Sequence, residues 1–127
     1  MRFINSIIMT DEKRRCLAFL YASIIRPTKS YRNVYDYQQG QYHFYRVTSR
    51  NGDNIMVFDY TRRSYMGGNR PNIYDYKSAS YISFQQIKPE ISCFDYEKGS
   101  FIRGQMTASI VSFFDYETGK YYKYLIT

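Results

Sequence analysis

Tryptophan is absent from this 127-residue chain, which also has one histidine, two cysteines and three prolines. A lone histidine leaves no His cluster for a metal and none for paired acid–base work. Cys16 and Cys93 cannot staple a small secreted fold, and they lack metal-site spacing. The longest uncharged apolar run, CLAFLYASII over 16–25, is about half the length that spans a bilayer. No phosphate-binding glycine loop, nucleophile elbow or zinc motif occurs. An enzyme is therefore not expected, nor are a metal, a cofactor or a membrane span. Acidic residues are also few, 11 against 18 Lys and Arg, for a net charge of +7.

Aromatic residues are abundant instead: sixteen Tyr and nine Phe, 20% of the chain, within a 44% hydrophobic composition. With only 23% charged residues, such a chain buries enough apolar surface to fold. Its length corresponds to one domain over residues 1–127, divided into an N-terminal arm and helix (1–32) and a longer repetitive part (33–127).

The opening residues MRFINSIIM (1–9) alternate in polarity and are expected to form a strand or tethered arm. Thr10 is a suitable N-cap, followed by Asp11 and Glu12 where a helix dipole favours carboxylates. The spacing predicts a helix over about 11–25, with Leu17, Leu20, Tyr21 and Ile24 on one stripe and Pro27 just past its end. Lys13, Arg14 and Arg15 before an apolar run could also suggest an export signal. The acidic pair ahead of them and the missing small-residue cleavage site favour a buried helix in a cytoplasmic protein with reduced cysteines.

Residues 33–127 repeat one unit five times: NVYDYQQGQY (33–42), MVFDYTRRSY (56–65), NIYDYKSASY (72–81), SCFDYEKGSF (92–101) and SFFDYETGKY (112–121). Five of the seven Asp residues, Asp36, Asp59, Asp75, Asp95 and Asp115, occupy the same place, at spacings of 23, 16, 20 and 20. Counted from that Asp, position −2 is apolar, −1 aromatic, +1 always Tyr and +6 aromatic. Tyr-, Phe- and Ile-rich segments bounded by Gly, Ser and Asn are strand signals. Gly at +4 in three copies marks a hairpin turn with a left-handed residue; Arg63 and Ala79 at that place in copies two and three imply a different turn. Asn51-Gly52, Gly67-Gly68-Asn69 and Lys88-Pro89-Glu90 provide return turns. The fold class is thus all-β and mainly antiparallel: a five-hairpin meander of about ten strands. A three-residue loop would put −2, 0 and +6 on one face and −1 and +1 on the other, making both faces aromatic or apolar. Closure into a barrel, plugged or capped by the helix, or folding into a two-layer sandwich would shield them.

The segment FFDYETGKYYKY (113–124) resembles the choline-binding repeats of bacterial surface proteins, whose marker is the Trp missing here. The Tyr-Asp pairs resemble those of large bacterial shell proteins, where Gly follows the Asp at another spacing. The strand count is similar to that of intracellular lipid-binding barrels, which carry their helices inside the strand order rather than ahead of it. No residue role carries over from any of the three.

The five Asp residues are expected to accept hydrogen bonds from their own turns, because equivalent positions on successive hairpins lie about 10 Å apart and cannot share an ion. His43 is expected to be structural and Cys93 a small core residue. Cys16, beside Arg14 and Arg15, could have a lowered pKa, although a packed helix position explains it better.

The positive surplus is local. Residues 1–33 carry +5 and residues 46–70 carry +3, whereas residues 71–127 balance. Tyr at +1 can lie on a sheet with its hydroxyl in water. The sequence therefore favours a non-enzymatic interaction module in which Tyr37, Tyr60, Tyr76, Tyr96 and Tyr116 dock a protein partner or a second copy of the chain. The alternative is single-stranded nucleic-acid binding through Arg14, Arg15, Arg62 and Arg63 with neighbouring Tyr rings. A small-ligand carrier is a third reading, conditional on a cavity inside a barrel.

Overall fold

A computed structural model describes residues 8–87 and 89–127. The arm expected over 1–9 lies, up to residue 7, outside the described residues, as does Lys88. Helix α1 spans Asp11–Ile25, as its capping signals predict. The Thr10 hydroxyl accepts from the Lys13 amide at 3.2 Å. At the other end the Arg26 amide donates to the Ala22 carbonyl at 2.9 Å, and Pro27 cannot prolong the helix.

Ten strands follow: β1 (Asn33–Asp36), β2 (Gln41–Asn51), β3 (Asn54–Asp59), β4 (Ser64–Asn69), β5 (Asn72–Asp75), β6 (Ser80–Ile87), β7 (Glu90–Asp95), β8 (Ser100–Thr107), β9 (Ile110–Asp115) and β10 (Lys120–Ile126). Each pairs antiparallel with its neighbours in chain order, and β1 pairs with β10 through Val34–Ile126, Tyr35–Leu125 and Asp36–Tyr124. The meander is a closed barrel. Closure leaves no unpaired strand edge, which a two-layer sandwich of these hairpins would retain.

The helix runs through the barrel interior. Every residue from Cys16 to Ala22 has 0% exposure, so the single apolar stripe expected from Leu17, Leu20 and Tyr21 understates its burial. Cys16, Ala18, Phe19 and Ala22 cover the other sides, and a helix without a polar face needs walls all round it. The −2 residues Val34, Val57, Ile73, Cys93 and Phe113, all fully buried, form part of that wall. Phe19 stacks on Tyr45 with ring centroids 5.1 Å apart. Tyr21 meets Phe84 and Phe113, each at 6.4 Å. The helix thus occupies the lumen in which a carried ligand would have to sit.

The hairpin register differs from the expected one by one residue. Asp115 pairs with Lys120 and Phe114 with Tyr121, so four residues, not three, form the loop. Position +6 consequently joins −1 and +1 on the outer face, while −2 and 0 point inward. The fourth loop residue is left-handed in all five copies: Gly40, Arg63, Ala79, Gly99 and Gly119, with φ between 53° and 69°. Copies two and three therefore keep the common turn despite lacking Gly. Gly67 and Gly68 fall inside β4 rather than in a turn, and a Cβ on Gly67 would strike the Ile55 carbonyl oxygen. Only Gly lets the two backbones approach so closely.

Candidate functional site

The inward-pointing Asp residues form a ring at the hairpin-turn end of the barrel, and the start of α1 enters through it. Four of the five use Oδ1 as expected, to hold their own turns. Asp36 accepts from the Gln38 amide at 3.0 Å, Asp59 from Thr61 at 3.0 Å, Asp95 from Glu97 at 3.1 Å and Asp115 from Glu117 at 2.8 Å. The carboxylates also meet cations. Lys13 lies 3.0 Å from Asp95, Arg14 3.3 Å from Asp115 and Arg15 3.0 Å from Asp36. Arg62 bridges Asp59 and Asp75 at 2.7 and 3.0 Å.

These pairs place three of the four arginines expected to touch nucleic acid inside the barrel. Arg14 and Arg15 are each 1% exposed and the Arg62 side chain 9% exposed, so they do not present their charge to a phosphate. Only Arg63 is exposed. The reason is electrostatic: a buried carboxylate requires a compensating charge, and the repeat supplies five of them around one helix. Burial opposes the charge on Arg62, but Cys16, Asp75 and Asp59 outweigh it and raise its pKa. Arg14 also stacks over Tyr122, 3.8 Å from the ring centroid.

The ring clamps the first turn of α1 to the strands around it. Among the described residues no group of three His, Cys, Asp or Glu side chains could hold a metal ion. Cys16 and Cys93 are fully buried, and desolvation pushes both thiols far above their usual range, so the Cys16 thiol is raised rather than lowered despite its neighbours Arg14 and Arg15. Burial likewise raises the phenols of Tyr45 and Tyr124. His43 has both ring nitrogens engaged, Nδ1 with the Thr61 hydroxyl at 2.9 Å and Nε2 with the Gln39 amide oxygen at 2.8 Å. Burial holds it below its ordinary pKa.

The outer face carries the second constellation. The +1 residues Tyr37, Tyr60, Tyr76, Tyr96 and Tyr116 are 47–62% exposed. Each stands edge-on against the −1 ring of its own hairpin, at centroid distances of 4.8–5.1 Å and angles of 79–84°. In four hairpins the +6 Tyr packs on that same −1 ring at 4.8–4.9 Å. In the remaining hairpin Phe101 reaches instead toward Tyr116 of the next, at 5.3 Å. The fifteen aromatic residues at −1, +1 and +6 therefore lie outside, in contact with one another and with water, whereas Phe113 at −2 of the fifth copy faces the core.

A third region was not singled out from the sequence as a site. After α1 the chain emerges at the return-turn end, where Arg26 donates to the Ala108 carbonyl. It then runs beside β2, with the Tyr45 amide bonded to the Arg32 carbonyl at 3.0 Å. There Arg32 and Arg46 line a cleft of about 340 Å³ with Phe44, Tyr45 and Tyr60. The same two arginines line an adjoining cleft of about 310 Å³ with Lys29, Tyr31 and Arg50. The sequence signal for it was the local charge surplus, but only the fold shows which of those cations stay outside.

Among the described residues no helix is long and apolar enough to cross a membrane. No protein-family model, curated protein or solved structure matches the chain, and the three resemblances noted in the sequence find no support there.

Proposed function

We propose that this protein is a non-catalytic interaction module whose outer aromatic surface docks a protein partner. The observation that carries this reading is the fivefold repetition of one arrangement: a half-exposed Tyr locked edge-on against its neighbour in every hairpin. Nine of the twelve exposed large hydrophobic side chains among the described residues are Tyr at +1 or +6. A sheet needs no such rings for its own core, which the helix already completes. Tyr held in one rotamer offers a large contact area and a hydroxyl at little entropic cost on binding. Contiguous exposed apolar surface of this kind marks interaction sites.

The test compares the wild type with Tyr76→Ser/Tyr96→Ser/Tyr116→Ser, its fold verified by circular dichroism. A protein retained by the wild type from extracts of the source cell, lost with the variant and rebinding in purified form, supports the reading. Identical retention by both overturns it. Sedimentation across a dilution series identifies a second copy of the chain as the partner if the wild type dimerises and the variant does not.

A further inference from the structure

We infer that the flank formed by β2 and the segment after α1 binds single-stranded nucleic acid, at a place that shares only Tyr60 with the five +1 tyrosines of the docking surface. The Asp ring encloses five carboxylates against four cations, Lys13, Arg14, Arg15 and Arg62. Since the whole chain carries +7, the rest of it carries one more positive charge than the total suggests.

That surplus is concentrated on one side. Between residues 26 and 50 the chain has five cations, Arg26, Lys29, Arg32, Arg46 and Arg50, and a single acid, Asp36. The Asp36 side chain is turned inward onto Arg15, which leaves this stretch without an outward carboxylate. Lys29, Arg32, Arg46 and Arg50 are exposed, and among the described residues none of the four forms an ion pair with a carboxylate. No acidic side chain lines either cleft.

Attraction to phosphate alone would suit many anions, but this surface also offers ring faces. Phe44 is 57% exposed and Tyr60 47% exposed; both line the apolar cleft together with Arg32 and Arg46. Cations alternating with accessible aromatic rings match a strand whose phosphates and unpaired bases alternate, since every base has a face to stack and every link a charge. A duplex hides those base faces, so the match is to single strands. The geometry of β2 adds to this. The strand carries a bulge between Val47 and Ser49 opposite β3, and such bulges re-aim side chains at a barrel rim.

The experiment is fluorescence anisotropy of labelled oligo(U) and oligo(dT) with the whole protein. Four phosphate contacts on a single strand give a log–log salt slope of about −3. Arg32→Glu/Arg46→Glu is expected to weaken binding at least tenfold. Phe44→Ala is expected to weaken it severalfold while leaving the salt slope unchanged. Tyr76→Ser/Tyr96→Ser should leave it intact, which keeps this inference separable from the docking surface. Absence of binding at low salt, or full retention by the double arginine variant, overturns the proposal. Equal competition by inorganic polyphosphate together with no effect of Phe44→Ala also overturns it, by reducing the flank to a general anion surface. Preference between the two oligonucleotides decides whether RNA or DNA is the ligand.

Discussion

Lys13, in the first turn of the internal helix, holds Asp95, 82 residues further along the chain, through contacts of 3.0 and 3.1 Å to its two carboxylate oxygens. Both side chains are essentially without solvent exposure. The pair fixes the depth of the helix in the barrel, because sliding the helix by one turn would carry the ammonium about 5 Å away from its carboxylate.

Removing one partner of this pair leaves an uncompensated buried charge. Lys13→Met is expected to cost roughly 3–5 kcal/mol in urea unfolding. Lys13→Met/Asp95→Asn should recover part of that loss, because the stranded carboxylate is gone and Asn still accepts from the Glu97 amide. A double variant as unstable as the sum of the single variants would show that the two side chains are not coupled.

The turns give a second prediction. Ala79 and Arg63 adopt φ of 54° and 53°, where a Cβ is strained by roughly 1–2 kcal/mol. Ala79→Gly should therefore stabilise the protein by about 1 kcal/mol, and Gly119→Ala should destabilise it by a similar amount. The midpoints of chemical denaturation measure both.

Gly67 tests packing rather than conformation. A Cβ there would run into the Ile55 carbonyl and come within 2.7 Å of the Met56 Cα. Since both obstacles are backbone, Gly67→Ala should cost roughly 1–3 kcal/mol. It should cost more than Gly119→Ala, whose Cβ meets nothing within 4 Å.

Alkaline pH should unfold the protein from within. Burial, partly offset by Arg15 and Arg14 respectively, raises the phenol pKa of Tyr45 and Tyr124 above the ordinary 10.0. Raised folded-state values mean that their contribution is intact below pH 10 and declines above it, as the unfolded chain releases protons that the native state retains. Ultraviolet titration should show these two phenols ionising only together with loss of the circular dichroism signal. Ionisation of all sixteen Tyr in a still-folded protein would contradict that.

Much of the architecture could be read from residues alone. The helix limits follow from Thr10, Asp11 and Pro27, because capping and proline chemistry act within a few residues. The ten strands follow from the Asp-Tyr unit, because its apolar and aromatic alternation has period two. The turn role of the Asp residues was legible for the same reason: an Asx turn needs only the next three residues. The loop length was not, since Gly at +4 suits both a three- and a four-residue loop. That one-residue difference moved every +6 aromatic residue to the outside.

The elements and the repeat are legible in the residue order, since both arise from short-range backbone preferences and side-chain periodicity. Which charges remain available follows instead from the closed barrel. Lys13, Arg14, Arg15 and Arg62 look no different in sequence from Lys29, Arg32, Arg46 and Arg50. Barrel closure around the helix draws the first four against buried carboxylates, whereas the second four stay in water because no carboxylate lies opposite them. Which cations are neutralised is a property of distances between residues up to 101 positions apart, such as Arg14 and Asp115. No local pattern encodes it.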